Sequence, residues 1–543
     1  MLTHPIAGPG APLARAVLAC AVLALIAACH GRGPSPASAA TAAPAAAGSD
    51  APASGVAWIE GDMDAALAQA RRERRPLLVY WGAAWCPPCQ QLKATVFQRR
   101  DFIERSRQFV AVHLDGDDAG AQKWGETLRV QGYPTLLVLD PAGRETQRIA
   151  GGMDLERFAR VLELALADLQ PIDSLLARAR AGKPLPPGAC RRLAWNGWRL
   201  DVLETGELAA RAADLERAAH ECTARAAPDA TRLVLYAALL QSTAEAPAIA
   251  GGAAPSATLV RQVDAVSDVL HLHRHDAELA DALIALNADF FRAAARAAPE
   301  HDALRDAYLE AMQAAARDAH LAVADQLAAV AHGLVAAKLL SPGQVIPAAL
   351  ATAARERTAA ELARQWTPDE RSGIFNAALN VYDALGDAQA GYDTARAELA
   401  VAREPYYVKS DLGDLAEQLG RGDEALRWYA EGYAESVGTA TRFQWGQDYA
   451  SALLRLAPKD AKRIREVTLA VLGELDGPDR IYRRARLRLE TLGHDLEAWN
   501  AAAGGRHADV LEALRTRMRA ICTHLPAAEP AHASCMAFLA PAG

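Results

Sequence analysis

From residue 56 onward the chain alternates between two hydrophobic rhythms. Asp62 is placed to cap a helix through Arg75, with Leu67 and Ala70 on one face, charges around the rest, and Pro76 as its stop. Leu77-Leu78-Val79-Tyr80-Trp81 is a short, bounded apolar run, the pattern of a buried central strand. Helical residues follow from Gln90 to Phe97, then a strand over Phe109–Leu114, a helix over Ala119–Leu128 and a strand over Leu136–Leu139. Asp140-Pro141-Ala142-Gly143 has the chemistry of a tight turn, so Arg144–Ile149 completes an antiparallel edge hairpin. Asp154 caps a last helix to about Asp168. Beyond Pro171 no run shows strand alternation. The chain becomes Ala- and Leu-rich with helical periodicity, and 246–257 and 341–347 read as inter-helix loops. The pattern predicts an α/β domain over 56–170 and an all-helical region over 171–543.

The N-terminus has a different character. Ala16 to Ala28 is an unbroken apolar stretch behind Arg15, the length of a signal-peptide core and too short to span a bilayer. Its end, Ile26-Ala27-Ala28-Cys29, resembles the bacterial lipoprotein signal, in which small residues precede a cysteine that is diacylated and becomes the new N-terminus. Residues 1–28 are thus expected to be removed and Cys29 to carry lipid; an ordinary secretory signal is the alternative. Between Gly31 and Gly55, every position except Arg32, Thr41 and Asp50 is Ala, Gly, Pro or Ser. With no large apolar side chains to offset its ordering entropy, 29–55 reads as a flexible linker.

Composition narrows the classes further. The 543 residues carry 58 basic and 66 acidic side chains, a net charge of −8, which argues against nucleic-acid binding. Hydrophobic residues at 51% and charged residues at 23% suit a chain that buries a core. No run of about 20 apolar residues is evident, so no membrane-spanning helix is expected. Eight cysteines are too few for a disulfide-stapled scaffold, so their positions carry the information.

The most informative positions are in Trp81-Gly82-Ala83-Ala84-Trp85-Cys86-Pro87-Pro88-Cys89, a Cys-X-X-Cys motif set between a strand and a helix, with Tyr133-Pro134-Thr135 well downstream of it. At such a junction the partly positive helix N-terminus favours thiolate, making Cys86 the expected nucleophile and Cys89, one turn in, the resolving thiol. Pro87 and Pro88 carry no backbone N–H to donate to that thiolate, which points to a moderately acidic Cys86 and a reducing pair. No second cysteine pair has metal-ligand spacing and position 90 is Gln rather than His, so neither a zinc site nor covalent haem is expected, and no cofactor.

These elements in this order resemble the thioredoxin fold, and most closely exported thioredoxin-like domains such as the C-terminal domain of the transmembrane reductase that carries electrons to the periplasm. The resemblance covers about a fifth of the chain. It implies that Pro134 is a cis-proline packed beside the sulfurs, and that Trp85, Tyr133 and Thr135 line the substrate groove. It also implies protein disulfides as substrates and a membrane thiol reductase as electron donor. One position departs from cytosolic thioredoxin. The buried Asp that precedes the first cysteine there, on the central strand, is here Tyr80, and its lysine partner falls near Ala111.

In the helical region Leu385-Gly386 recurs as Leu419-Gly420 at the period of a tetratricopeptide repeat, and Asp423-Glu424-Ala425-Leu426-Arg427-Trp428-Tyr429 resembles the second helix of that motif. A tetratricopeptide-like array at about 371–460 is expected, generic helical hairpins being the alternative. His271-Leu272-His273-Arg274-His275 reads as exposed histidines, because only His271 and His275 share a helix face. Cys190, Cys222, Cys522 and Cys535 are candidates for structural disulfides, Cys190 with Cys222 and Cys522 with Cys535 favoured over crossed connectivities. The expected function is a lipid-anchored periplasmic thiol–disulfide reductase or isomerase, at the outer membrane by the enteric rule for His30 after the cysteine. A partner-binding helical scaffold with a vestigial or regulatory redox domain is the alternative.

Overall fold

The computed structural model describes residues 55–118, 120–130, 132–149, 155–198, 205–223, 227–297, 301–477, 480–527 and 530–539. The signal segment, Cys29, the linker up to residue 54 and the capping role of Asp154 lie outside the described residues.

Five strands form one sheet in the order β1-β3-β2-β4-β5. They are β1 (Trp58–Glu60), β2 (Leu77–Gly82), β3 (Val110–Asp115), β4 (Thr135–Leu139) and β5 (Glu145–Ile149). β3 runs parallel to both β1 and β2, while β4 is antiparallel to β2 and to β5. Helices α1 (Met63–Glu73), α2 (Pro87–Ala94), α3 (Arg100–Ser106), α4 (Ala121–Thr127) and α5 (Leu155–Ala167) join them. This is the mixed sheet with flanking helices of the thioredoxin fold, and a large all-helical region follows it, as expected.

Local chemistry explains the placement. Asp62 accepts the Ala65 N–H at 2.8 Å and starts α1. Asp140 Oδ1 accepts both the Ala142 and Arg144 N–H groups, which fixes the turn into β5. Side chains alternate across β2. Leu77, Val79 and Trp81 join Val112, Leu114, Leu137 and Leu139 on one face, against Met63, Ala66 and Ala70 of α1. Leu78 and Tyr80 join Ala111, Leu136 and Val138 on the other, against Phe97, Phe102 and Phe158.

That second core does not stop at residue 170. It runs on through Ile172, Leu175, Leu176, Leu193, Trp195 and helices as far as Leu340. The edge strand is closed the same way: Asn196 Oδ1 accepts the Arg148 N–H at 2.8 Å, and the Gly197 N–H donates to Arg148 O at 2.7 Å. Arg192, fully buried, pairs with Asp168 at 2.8 Å and donates to the carbonyls of Thr146 and Gln170. The sheet and the helices that follow it therefore share one continuous apolar core.

In the helical region, successive helices from Pro368–Leu385 through Ala388–Glu398, Pro405–Gln418, Gly422–Glu435 and Thr439–Leu456 to Ala461–Gly473 pack on one another in chain order. Gly386 and Gly420 end two of them with φ of +70° and +72°, the left-handed closure that glycine permits. Disulfides link Cys190 to Cys222 and Cys522 to Cys535.

Four sequence expectations need correction. The 246–257 loop begins later, because the helix Ala227–Ala250 runs through Pro247. The Gln90–Phe97 helix starts at Pro87 and ends at Ala94, followed by a 3₁₀ turn over Val96–Gln98. β1 and α3 are elements that the sequence pattern does not announce. Finally, Ala227–Ala250 and Val323–Leu340 are long and apolar enough to cross a membrane by length and composition; about half of each apolar window is buried within the protein, as in a core helix.

Candidate functional site

β2 is wholly buried and leads directly into the loop that ends at Cys86, the N-cap residue of α2. Pro87 and Pro88 occupy the first two helical positions, where a missing N–H costs nothing. Cys86 and Cys89 are disulfide-bonded, and the Cys89 N–H points to Cys86 Sγ at 3.2 Å. That amide is the backbone donor at the sulfur, and the two prolines supply none.

Trp85, Tyr133, Pro134 and Thr135 are the other expected residues. The Tyr133–Pro134 peptide is cis and Pro134 is buried. Thr135 opens β4 opposite Trp81, its hydroxyl donating to Gly132 O at 3.0 Å. Trp85 meets Tyr133 edge-on, with ring centroids 5.4 Å apart. Tyr80 stands where a cytosolic thioredoxin carries its acid. Its ring stacks on His113 at 4.7 Å, and its buried hydroxyl finds no partner among the described residues. Burial holds the Tyr80 phenol well above its ordinary pKa, so it keeps its proton and is no acceptor for Cys89.

The pair is not open to solvent. Cys86 is 2% exposed, Cys89 0% and Trp85 4%. What covers them comes from far downstream, in the helical region. Trp85 lies 5.4 Å from Trp445 and stacks on Tyr407 at 5.9 Å, while Tyr406 and Trp445 complete the apolar cluster around the two cysteines. The Arg484 guanidinium sits over the Tyr133 ring at 4.6 Å. The helix Pro368–Leu385 packs along α2, with Gly373 beneath Gln91 where a Cβ would meet Gln91 Oε1 at 2.9 Å.

Sequence reasoning missed this ring of residues, as well as Asp117, whose Oδ2 accepts the Trp85 indole N–H at 3.1 Å. An unusual density of aromatic residues in an Ala-rich helical region was the available signal, and it does not say where those side chains go. The histidines at 271, 273 and 275 are not clustered with other ligands; no metal-ligand group occurs among the described residues.

Asp325, on the helix Val323–Leu340, reaches α2 through Gln91, whose amide donates to Oδ2 at 3.3 Å. Burial pushes its carboxyl up to about 7; the Gln91 hydrogen bond opposes this and the Asp281 charge adds to it. The folded chain thus holds this proton more tightly than the unfolded one, whose ordinary value is 3.8. The resulting stabilisation is complete below about pH 4 and lost as pH rises through about 7. Denaturant titrations between these limits should show the native chain losing stability relative to Asp325→Asn as pH rises.

Comparison with known proteins finds a likeness over part of the chain. Residues 63–166 match the family model of a thioredoxin-like domain. A segment of 101 residues is 30% identical to the thiol:disulfide interchange protein DsbD of Pseudomonas fluorescens, covering 18% of this chain and 17% of that protein's length. A thioredoxin from Thermus thermophilus aligns at 26% identity over 21% of this chain and 95% of its own, with a TM-score of 0.19.

Proposed function

We propose, from a thioredoxin-like domain of thiol–disulfide oxidoreductase type at 63–166, that the chain is an exported, membrane-anchored reductase or isomerase of protein disulfides. The observation that carries the reading is the Cys86–Cys89 pair at the start of α2, with the Cys89 amide aimed at Cys86 Sγ. In the reduced pair the Cys86 thiolate attacks one sulfur of a substrate disulfide. A mixed disulfide forms and the other substrate sulfur leaves as a thiolate, which takes a proton from solvent. Cys89, deprotonated, then attacks Cys86 Sγ and releases the second substrate thiol. Two electrons have passed to the substrate, and a dithiol donor, for which a membrane thiol reductase is proposed, must return them.

The reducing direction follows from Pro87 and Pro88, which leave the Cys86 thiolate with few backbone donors and so do not stabilise the dithiol strongly. Trapping free thiols under acid quench in intact cells should find Cys86 and Cys89 mainly reduced. A pair found almost wholly oxidised, with a measured potential near that of the strong periplasmic oxidant, would make it a disulfide-forming oxidase instead. Anchoring rests on Ile26-Ala27-Ala28-Cys29. Cys29→Ser is expected to abolish lipid labelling and move the chain from the membrane to the soluble fraction; unchanged fractionation would remove the lipoprotein reading.

The division at about residue 170, the substrate-groove roles of Trp85, Tyr133, Pro134 and Thr135, and a tetratricopeptide-like array at 371–460 belong to the same proposal. The burial of Cys86 favours a second reading, a helical scaffold whose redox domain is regulatory or vestigial. Catalytic turnover of a model disulfide by the full chain separates the two.

A further inference from the structure

Two helices of the downstream region begin against the redox domain, and each takes its cap from that domain. Gly438, the N-cap residue of Thr439–Leu456, has no side chain to offer the first turn, and at φ +92° a Cβ would run into the Asp117 carboxylate. Asp117 supplies the cap instead: Oδ1 accepts the Thr441 N–H at 2.8 Å and Oδ2 accepts the Thr441 hydroxyl. The same carboxylate holds the Trp85 indole beside Cys86. At the start of Arg483–Ala502, Glu126 of α4 accepts the Arg483 N–H at 2.7 Å and takes Arg486 in a two-pronged pair at 2.6 and 2.9 Å. Each carboxylate also meets the positive end of a helix dipole. Between the two capped ends lie Trp445 and Arg484, over Trp85 and Tyr133.

We propose that the helical region is a cover over the chain's own redox pair, latched at Asp117 and Glu126, which must part before a protein disulfide reaches Cys86. The geometry requires an opening of some kind. A protein disulfide must bring a sulfur into line with Cys86 Sγ, and Cys86 is 2% exposed beneath Trp85, Tyr406 and Trp445. The latches are polar, with their ion pairs and caps at the border of the cluster, where water can replace them on opening, whereas the aromatic contacts reseal when it closes. The inference rests on reading Cys86 as the reacting thiol, but its test needs no catalytic activity.

The full chain is reduced with a phosphine, and the alkylation of Cys86 by iodoacetamide is followed by peptide mass spectrometry. Rates are taken on the plateau of the pH profile, where differences in thiolate fraction drop out. The folded chain is expected to react at least about a hundredfold more slowly than the same chain in denaturant, because reaction waits on a local opening. Asp117→Ala and Arg486→Ala should each accelerate it about tenfold, since each removes charge-assisted hydrogen bonds present only in the closed state. Thr441→Ala, a milder change, should accelerate it severalfold and serves if Asp117→Ala fails to fold by circular dichroism. Alkylation of the folded native chain at the denatured rate, or folded latch variants at the native rate, would overturn the cover. Slow, latch-dependent alkylation in a chain that reduces no disulfide would keep the cover and end the oxidoreductase reading; the reverse pair of results would do the opposite.

Discussion

Cys86→Ala is expected to lower the rate of disulfide reduction by about a thousandfold or more, because the attacking sulfur and the start of the exchange disappear together. Cys89→Ala should differ in kind. Cys86 still attacks, nothing resolves the product, and substrates accumulate as mixed disulfides on Cys86. Non-reducing gels followed by mass spectrometry read both outcomes, with bound partners in the second variant and none in the first. Both variants should stay folded, since the Cys86–Cys89 bond closes a loop holding only Pro87 and Pro88 and constrains the unfolded chain little. Cys86→Ala with native turnover would remove the proposed chemistry altogether. The absence of any trapped species on Cys89→Ala, in a chain whose Cys86 alkylates freely once opened, would confine the pair to a structural or regulatory role.

Asp281→Ala is expected to destabilise the chain by about 3–5 kcal/mol, the usual result of stripping the partner from a buried charge. Arg232 and Asp281 pair at 2.7 Å with side chains 3% and 4% exposed. Burial alone would lower the Arg232 pKa; the charge of Asp281 and its hydrogen bonds outweigh that and raise it, so the arginine is ionised in the core. Arg232 also lies 3.9 Å over Trp195 and donates to Ala194 O, and so supports the segment whose Asn196 and Gly197 close the edge of β5. Without Asp281 the buried cation keeps only the Ala194 and Glu278 carbonyls and a weaker attraction to Asp229. Equilibrium denaturation should show the loss. Because Asp281 also raises the Asp325 carboxyl, the pH dependence described for Asp325 should shift to lower pH in the same variant. A destabilisation under about 1 kcal/mol would mean that Arg232 reaches water and the pair is not buried in solution.

The parts legible in the sequence are those whose causes are local. The apolar run Leu77–Trp81 can only be a buried strand once a Cys-X-X-Cys helix follows it, and Asp140 to Gly143 can only turn. The structure brings Cys86, Cys89, Trp85 and Tyr133 into one cluster and makes the Tyr133–Pro134 peptide cis, and it pairs Cys190 with Cys222 across neighbouring helices. β1 escapes a sequence reading because so short a strand at a sheet edge carries no periodicity. α3, Arg-Asp-Phe-Ile-Glu-Arg-Ser, escapes it because a short helix with one fully buried aromatic, Phe102, makes no amphipathic stripe. Pro247 has the look of a breaker, yet Ala227–Ala250 carries it within its last turn.

The cover is invisible in the sequence for a different reason. Asp117 looks like any loop acid and Gly438 like any loop glycine; only their meeting in space makes one the cap of the other's helix. Nothing within a window of sequence reports that. The aromatic side chains Tyr406, Tyr407 and Trp445 would suit the core of any helical array, and here they lie against the redox motif instead.

The Asp117 carboxylate and the Thr441 amide it caps are 324 positions apart. A chain made from its N-terminus has therefore finished its sheet and both cysteines long before the helices that enclose them exist. Throughout that interval Cys86 and Cys89 can exchange with any thiol or disulfide they meet, and once the helices dock the exchange slows. The oxidation state of a newly closed molecule then reflects the order of two events, oxidation and docking, until openings of the cover bring it to equilibrium with its surroundings. Two molecules of identical sequence, in the same compartment, can differ for that interval because one closed sooner.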